Sequence, residues 1–599
     1  MKKRTFGWIQ NPGDLKKLKR VVSIFLCDSD ANLWFRNERL PLLEQYGLIS
    51  HPDFIAFINK MSEVLIEVDY SSLKGKGSGS ASRADALCTG IIQAVIDGQK
   101  NKTYSDTDGN TITIKKPYTD DWSAEGYLRW AISCGLLEYV ESTDTCRITE
   151  LGKELAKTDD NSPEEKEALS KALLSYPPVI RILSLLNVKD KQSKFELGSQ
   201  LGFKGEMGFT SIPLSMYLCD YCEAETAKEK TEIRSNSEGD SDKYARGIAS
   251  WCSQMGWVSS SDEEKKGTYR GREYSAILQT FSITRAGEKA LARANGYSSN
   301  PRIKRVVMFE MLASNKAAGA DYLRYERACI LQALSSSEKT LDQIKKNLEG
   351  HEIDLSDTGI IDHIEGLKSI GIDIQKNGNK YKLYDKIIGL NIPTKTVFTK
   401  DEANEIKETV RDKLNTLDHK YLILIDLAYS DASTTAKKNA DAREFEIQTA
   451  DLFVEELGFN GKRLGDSNRP DVIISFEQYG TIIDNKSYKD GFNVDRGCRD
   501  EMARYVNENQ QRIPGVPANE WWREFDSRTT AFTFLFVTSF LKGKFAEQLE
   551  YISNTHSGIK GGAISVENLL YLAENIKSAR KTKESFFNDF DNKELIYDI

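Results

Sequence analysis

The spacing of apolar residues predicts one structural unit that occurs three times along the chain. In each copy, apolar residues recur at helical spacing and end at a glycine, and two short apolar runs separated by a polar loop follow. The predicted helices are 127–135, 244–256 and 360–371, followed by strand pairs at 136–140 and 146–149, 257–258 and 281–284, and 372–374 and 381–383. This order is the winged-helix arrangement, which serves in binding nucleic acid or in contacting other proteins. The third copy has the fewest basic or amide residues near its helix, so we expect it to be structural.

Towards the end of the chain, a different pattern predicts a β-hairpin that carries two carboxylates and a lysine. Two β-branched runs, at residues 472–474 and 481–483, flank a turn predicted over residues 477–480. Asp484 and Lys486 lie two residues apart, so both side chains leave one face of a strand, and Asp471 starts the partner strand. Carboxylates are the hard oxygen ligands that Mg²⁺ takes while it keeps waters and binds a phosphate oxygen. A lysine beside them is suited to orient or deprotonate a water and to neutralise charge on the phosphate.

The helix predicted before this hairpin adds a third carboxylate. Glu446 shares one helical stripe with Ala450, Phe453 and Leu457. A carboxylate on the buried face of a helix is costly unless it is paired or faces a metal ion. Glu446 is therefore a further catalytic candidate. The whole pattern is the P-D…D-x-K signature of metal-dependent nucleases, although Asp and Lys at strand ends also occur by chance in long chains.

Length and composition limit the class of protein. A chain of 599 residues is too long for one core and suggests about three to five domains. Its 39% hydrophobic and 29% charged residues are typical of a globular protein. No apolar run approaches the ~20 residues of a membrane helix, and the basic N-terminus lacks the apolar stretch of a signal peptide. The expected location is cytoplasmic.

The nine cysteines show no disulfide framework, and their odd number favours reduced thiols. Cys219 and Cys222 are the only close pair. Without a second pair at zinc-ligand spacing, both are predicted to be small apolar residues on a helix.

The net charge of −8 argues at first against a nucleic-acid partner, but the charge is unevenly distributed. Residues 1–20 form a basic arm in which Gln10 and Asn11 precede Pro-Gly in an exposed turn, with amides suited to adenine edges. Residues 74–83 form a basic Gly/Ser-rich loop that ends at Arg83. Local basic surfaces bind DNA even on an acidic protein. Ordinary surface loops are the simpler interpretation of both segments.

A helix predicted over 500–506 carries Asp500 and Arg504 four residues apart. The simplest interpretation is a weak ion pair within that helix.

Twelve longer stretches of the chain match one known protein family, and they follow one another in the same order as in that family. They are residues 4–8, 10–13, 122–123, 126–131, 175–178, 180–183, 241–246, 469–471, 484–486, 500–506, 519–522 and 534–537. Over essentially its whole length, the chain thereby resembles the FokI family of type IIS restriction endonucleases. The resemblance implies a multidomain α+β and α/β protein, with three winged-helix (helix-turn-helix) recognition subdomains before a PD-(D/E)xK nuclease domain. That domain would hold a mixed central sheet flanked by helices. We place the parts at 1–160, 161–297, 298–388, a linker at 389–402, and the cleavage domain at 403–599.

The resemblance also implies roles for individual residues. Asp471, Asp484 and Lys486 would be catalytic, with both aspartates binding Mg²⁺. Asp500 and Arg504 would lie on the surface where two cleavage domains form a transient homodimer on DNA. The implied DNA contacts are Gln10, Asn11, Arg83 and Trp122 in the first subdomain and Glu238, Lys243 and Arg246 in the second.

Two positions depart from the family pattern. Ser235 and Ser237 stand where the family has a larger amide and a tryptophan. The recognised bases therefore do not carry over directly, and a GGATG-like site is the starting expectation. A cognate DNA methyltransferase is an implied partner.

The predicted function is that of a Mg²⁺-dependent type IIS endonuclease, which binds an asymmetric double-stranded DNA site and cuts both strands at a fixed distance outside it. One alternative is a strand-specific nicking relative whose cleavage domain does not pair with itself. A second is a winged-helix DNA-binding regulator with an inactive nuclease domain. The intact Asp471, Asp484 and Lys486 argue against the second alternative.

Overall fold

A computed structural model describes residues 4, 6–10, 12–77, 87–105, 111–297, 299–393, 397–432, 434–465, 468–556 and 558–599. The first unit contains the helices α1 Leu15–Ser23, α2 Asp30–Trp34, α3 Leu40–Gln45, α4 His51–Met61, α5 Tyr70–Lys74, α6 Ile91–Val95, α7 Asp121–Ser133 and α8 Glu150–Ala156. Its strands are β1 Glu67–Asp69, β2 Asn101–Ser105, β3 Thr111–Lys115, β4 Leu137–Val140 and β5 Thr145–Ile148.

The second unit contains α9 Pro163–Ser175, α10 Pro177–Val188, α11 Lys194–Gly198, α12 Leu214–Glu223, α13 Ala227–Asn236, α14 Asp240–Gln254 and α15 Arg285–Ala294, with β6 Gln192–Ser193, β7 Val258–Tyr269 and β8 Arg272–Ile283. The third contains α16 Ala320–Ser336, α17 Leu341–Glu349 and α18 Asp357–Ser369, with β9 Arg305–Val306, β10 Lys339–Thr340, β11 Ile374–Asn377, β12 Lys380–Leu383 and β13 Ile387–Ile388.

These three units share one topology, which confirms the predicted winged helices. Each has a three-stranded antiparallel sheet in which the second wing strand is central, in the orders β1-β5-β4, β6-β8-β7 and β10-β12-β11. Glycines with positive φ follow the helices α7, α14 and α18, namely Gly135, Gly256 and Gly371. Glycine adopts this left-handed backbone without steric strain, so it ends each helix and starts the wing.

The second wing is longer than predicted. Strands β7 and β8 pair over twelve residues each, from Val258 opposite Ile283 to Tyr269 opposite Arg272. The sequence showed only the apolar root of this hairpin, because most of its remaining residues are polar and exposed. Cys219 is buried on α12 as predicted, whereas Cys222, in the last turn of the same helix, is exposed and does not behave as a buried apolar residue.

The C-terminal part contains α19 Glu402–Lys413, α20 Ile423–Ala428, α21 Thr435–Asp451, α22 Arg496–Gln511, α23 Phe545–Thr555, α24 Val566–Lys577 and α25 Lys583–Phe587. Its strands are β14 Asn460–Arg463, β15 Val472–Phe476, β16 Tyr479–Lys486, β17 Ala531–Thr538, β18 Gly561–Ser565 and β19 Lys593–Glu594. They form one sheet in chain order, antiparallel from β14 to β16 and parallel from β16 to β19. The neighbouring residues Ile473 and Ile474 of β15 belong to two different apolar clusters, one on each face of the sheet. Helices therefore cover both faces. The predicted mixed sheet flanked by helices is confirmed.

The turn predicted over residues 477–480 is wrong in its length. Strand β16 already begins at Tyr479, which pairs with Phe476, so only Glu477 and Gln478 form the turn. Glu477 has a φ of 52°, and this left-handed backbone reverses the chain within two residues.

The long wing joins the second unit to the C-terminal part. At its tip, Arg270 donates hydrogen bonds to Oε2 of Glu524 at 2.8 Å and to Oδ1 of Asn460 at 3.4 Å. Lys462 of β14 forms an ion pair with Glu223 of α12 at 2.5 Å. Apolar residues of α12 share a cluster with α20 and α21. The two parts therefore pack through a mixed polar and apolar interface.

No single helix within the described ranges has the length and apolar composition of a membrane span, and the pair α9 and α10, which meets this test only in combination, is bent by 89°.

Candidate active site and DNA-reading surface

The hairpin β15–β16 brings Asp471 and Asp484 together. The last pair of the antiparallel register is Val472 opposite Ile483, and Asp471 and Asp484 are the next residue on each strand. Oδ2 of Asp471 accepts a hydrogen bond from the backbone N–H of Asn485 at 2.6 Å. This bond ties the end of one strand to the other and fixes the position of the Asp471 carboxyl group.

Both carboxyl groups are in surroundings that disfavour two negative charges. Burial and the neighbouring charge of Asp484 raise the pKa of Asp471 well above its ordinary value. Burial also raises the pKa of Asp484, although the ammonium of Lys486 opposes this effect. Asp484 is only 4% exposed. Two carboxylates held against each other gain stability when a cation lies between them.

This donor set fits a divalent cation such as Mg²⁺. Among the described residues, no group of three or more His, Cys, Asp or Glu side chains has the arrangement of a complete metal site. Asp471 and Asp484 would supply two hard oxygen ligands and leave the other positions to water and to a phosphate oxygen. Mg²⁺ binds in this way at phosphate-processing sites, where it keeps several of its waters.

Lys486 lies beside Asp484 on the same face of β16, as predicted. Its Nζ is 2.8 Å from Oδ2 of Asp484 and 3.4 Å from Oε2 of Glu501 on α22. Burial lowers the pKa of Lys486, but these carboxylates outweigh burial and the pKa is raised. The hydroxyl of Tyr505, one turn further along α22, donates to Oε1 of Glu501 at 3.1 Å.

Glu501 was missed by the sequence reasoning. One pattern in the sequence could have indicated it. Glu501 and Tyr505 are four residues apart and each precedes a buried apolar residue, Met502 and Val506, so all four lie towards the inner side of α22. Nothing in the sequence gives the distance from that side to Lys486.

Glu446 lies on α21, and the predicted buried stripe is confirmed by Ala450 on this helix and by Phe453 and Leu457 in the segment that follows it. Its Oε2 is 2.8 Å from Nη2 of Arg463, the last residue of β14. The charge of Glu446 also contributes to the raised pKa of Asp471, so Glu446 is within electrostatic reach of the site. The arginine partner satisfies the expectation that a carboxylate on this face is paired.

Asp500 and Arg504 lie on the exposed side of α22, but the predicted ion pair between them is wrong. Asp500 pairs with Arg499 at 2.8 Å and with Arg496 at 3.5 Å, while Arg504 pairs with Glu508 at 2.9 Å. The side chains of Asp500 and Arg504 are 52% and 37% exposed. Both are thus accessible, and each has a neighbour on its own helix.

In the first unit, Gln10 is half-buried rather than part of an exposed turn. The chain beside it packs across α14 of the second unit, because Trp251 donates its Nε1–H to the carbonyl of Pro12 at 2.7 Å. Trp122, 53% exposed, borders a cavity of about 150 Å³ together with Gln10 and Arg129. The predicted contacts Asn11 and Arg83 lie outside the described residues.

In the second unit, the predicted DNA contacts form ion pairs at the start of α14. Arg246 pairs with Glu238 at 3.0 Å, and Glu238 also pairs with Lys194 at 2.5 Å. Lys243 lies 3.5 Å from Asp240. Asp240 was missed by the sequence reasoning, because the helix was predicted to begin at residue 244, whereas α14 begins at Asp240.

Ser235 and Ser237 lie at the C-terminal end of α13 and just after it, next to Glu238. Ser235 is exposed and donates its hydroxyl to the carbonyl of Thr231 at 2.8 Å, whereas Ser237 is buried. The two departures from the family pattern therefore lie beside the start of α14.

Four family models match the chain in order. They describe the FokI recognition domain, subdomain 1, over residues 4–158; its subdomain 2 over 165–299; the FokI D3 domain over 312–379; and the FokI cleavage domain over 400–597. The chain is 37% identical to the type II restriction enzyme FokI of Planomicrobium okeanokoites over 604 residues, which covers 99% of each chain. It is 30% identical to the type II restriction enzyme StsI of Streptococcus sanguinis over 588 residues, 95% of this chain and 92% of StsI.

Two solved structures have the same fold over the same extent. The structure of restriction endonuclease FokI aligns with a TM-score of 0.85 and 36% identity, covering 99% of this chain and all of FokI. The structure of FokI bound to DNA aligns with a TM-score of 0.86 and 37% identity over the whole of both chains.

Proposed function

Since this chain belongs to the FokI family of type II restriction endonucleases and is a site-specific deoxyribonuclease, we propose that it is a type IIS enzyme that uses Mg²⁺. It binds a short asymmetric duplex site, of GGATG-like sequence as the first hypothesis, and hydrolyses both strands at a fixed distance outside it. The observation that carries the proposal is the meeting of Asp471, Asp484 and Lys486 at the end of one hairpin.

In the proposed mechanism, Asp471 and Asp484 would hold Mg²⁺, and the bound ion would supply Lewis-acid stabilisation of charge on the phosphate. The hydrogen bond from the N–H of Asn485 keeps Asp471 turned towards Asp484. Lys486 donates a hydrogen bond to a non-bridging phosphate oxygen and so stabilises the negative charge that develops there. Glu446 helps from α21 by orienting Arg463 at the end of β14.

DNA recognition is assigned to the first and second units. Gln10, Asn11, Arg83 and Trp122 belong to the first. Glu238, Lys243 and Arg246 belong to the second and lie at the start of α14. The N-terminal part of such a helix is what reads base edges in helix-turn-helix proteins. The third unit has the supporting role.

One P-D…D-x-K site serves one strand, so a double-strand break calls for a second site. Two chains that pair by twofold symmetry supply it, with Asp500 of each facing Arg504 of the other. The exposure of both side chains on α22 supports this transient homodimer on DNA. A DNA methyltransferase that protects the same site is the partner that such an activity requires.

The proposal is tested by incubating the purified protein with a supercoiled plasmid in Mg²⁺ and sequencing the ends of the products. We expect fragments whose ends lie at one offset from a shared asymmetric sequence. The variant Asp484→Asn, with the same size and no ionisable group, should bind the plasmid and leave it supercoiled. Nicked circles without linear product would favour the nicking alternative, and normal cutting by Asp484→Asn would contradict the assigned site.

A further inference from the structure

Helix α14 starts at a tightly fixed point. The carboxylate of Asp242 accepts hydrogen bonds from the N–H groups of Gly239 at 2.9 Å and Ile212 at 3.0 Å, and from the hydroxyl of Ser211 at 2.5 Å. A Cβ on Gly239 would lie 2.2 Å from the carbonyl oxygen of Thr210, so only glycine allows this close approach. The next residue, Asp240, is therefore held in one place.

The carboxylate of Asp240 receives donors from all three winged-helix units. Nε2 of Gln10 lies 3.1 Å away, Nζ of Lys243 lies 3.5 Å away, and Nζ of Lys316 lies 2.5 Å away. The Asp240 side chain is 11% exposed. A nearly buried carboxylate needs such partners, because its desolvation is costly without them.

Gln10 has little freedom to move away from Asp240. The following residues are tied to α14, since Trp251 binds the carbonyl of Pro12 and Nε2 of Gln254 donates to the carbonyl of Gly13 at 2.6 Å. A carboxylate only accepts hydrogen bonds, so Asp240 selects the end of the Gln10 amide that faces it. That choice also sets which group the amide offers to a base.

Lys243 has more freedom. Its side chain is 38% exposed and borders a cavity of about 350 Å³. Arg443 and Glu444 of α21 also line this cavity. Lys243 can therefore turn from Asp240 towards a base, while Lys316 remains on the carboxylate.

We infer that Asp240 is a positioning residue that couples the base readers Gln10 and Lys243, so that the first and second units read DNA as one surface. This inference rests on the proposed function, which assigns base reading to Gln10 and Lys243. Removal of one donor from a shared carboxylate changes how the carboxylate holds the other. The effects of the two readers are then not independent.

The test is a set of binding measurements in EDTA, so that no strand is cut. The probe is a duplex that contains the sequence defined by the end sequencing, and a scrambled duplex measures nonspecific binding. Wild type, Gln10→Ala, Lys243→Ala and the double variant form one cycle, which is repeated in an Asp240→Ala background. We expect the change in specific-binding affinity of the double variant to differ by about threefold or more from the product of the two single-variant changes. In the Asp240→Ala background, we expect this difference to disappear.

Two further variants separate positioning from folding. Lys316→Met removes a donor that reads no base, and the coupling between Gln10 and Lys243 should persist. Asp240→Asn keeps an acceptor for Gln10 but loses the charge that attracts Lys243, so it should lower the coupling and keep the melting temperature near that of wild type. If Asp240→Ala does not fold, the Asp240→Asn cycle decides.

The possible failures are distinguishable. If neither Gln10→Ala nor Lys243→Ala changes the preference for the specific duplex, the proposed recognition surface is wrong and the coupling falls with it. If both weaken specific binding and their effects multiply in each background, only the role of Asp240 is wrong. If Asp240→Ala relaxes one base position while the readers remain coupled, Asp240 contacts a base itself, which overturns the positioning role.

Discussion

The contact between Glu501 and Lys486 gives a prediction with a calculable size. At 3.4 Å and an effective dielectric constant of about 20, two unit charges attract by about 5 kcal/mol before screening. The Glu501 side chain is 41% exposed, so solvent screening reduces the contribution to about 0.5–1 kcal/mol. Asp484, at 2.8 Å and 5% side-chain exposure, is the stronger partner of Lys486. Glu501→Gln should therefore slow cleavage by only about two- to fivefold.

The matched variants are Lys486→Ala and Tyr505→Phe. Loss of a donor that stabilises the transition state costs about a hundred- to a thousandfold, so Lys486→Ala should be far slower than Glu501→Gln. Tyr505→Phe removes only the hydroxyl that holds Glu501, at 3.1 Å, and should produce an effect no larger than that of Glu501→Gln.

The assay is single-turnover cleavage of a one-site duplex with enzyme in excess, so that pairing of chains does not limit the rate. Binding in EDTA should be the same for all three variants. A loss in Glu501→Gln as large as that in Lys486→Ala would refute the reasoning, because Glu501 would then have to contact the reacting groups. An unchanged rate in Glu501→Gln would show that Asp484 alone positions the lysine.

Three other predictions concern the proposed metal site and the proposed pairing helix α22. Asp471→Ala and Asp484→Ala should bind the specific duplex with unchanged affinity and not cut it; near wild-type cutting in Mg²⁺ would remove that residue from the site. Asp500→Arg or Arg504→Asp alone should suppress linear product at low enzyme concentration, and mixing the two should restore it, because opposite charges again face each other; no recovery on mixing would exclude this helix as the pairing surface. Burial and Asp484 raise the folded-state pKa of Asp471 above its unfolded value of about 3.9, so ionised Asp471 destabilises the fold increasingly as the pH rises towards the folded-state pKa. Asp471→Asn should then raise the melting temperature in EDTA more at pH 8 than at pH 4, and equal shifts at both would show that Asp471 has no raised pKa.

The sequence predicted the parts of the fold that depend on local pattern. Helical spacing ending at Gly135, Gly256 and Gly371 was enough for the three winged helices, because glycine and the apolar core act within a few residues. The placement of Asp484 and Lys486 on one face followed from the two-residue period of a strand. The polar part of the long β7–β8 wing could not be recognised. Its two strands are held by backbone pairing with each other, and its residues show no pattern of buried apolar positions.

Contacts between distant segments were beyond sequence reasoning. Asp240 gathers donors from positions 10, 243 and 316, and no local pattern indicates that these side chains converge. Glu501 was adjacent to a residue already singled out, yet its distance from Lys486 depends on how α22 packs on the sheet. The ion-pair partners of Asp500 also depended on nearby charges. Arg496 and Arg499 lie on the same helix as Arg504 and pair with Asp500 in its place.

The packing of the N-terminal arm also has a consequence for how the protein is made. Trp8 donates its Nε1–H to the carbonyl of Met311, a partner 303 residues later in the chain. The carbonyl of Pro12 accepts its hydrogen bond from Trp251, which is also synthesised much later. At a synthesis rate of about 5–20 residues per second, Trp8 leaves the ribosome roughly 15–60 seconds before Met311 does. The contacts to Pro12 and Gly13 that hold Gln10 form only once residues 251–254 have emerged, and Lys316 reaches Asp240 later still. A nascent chain thus acquires its complete DNA-reading surface only after more than half of the protein has been translated.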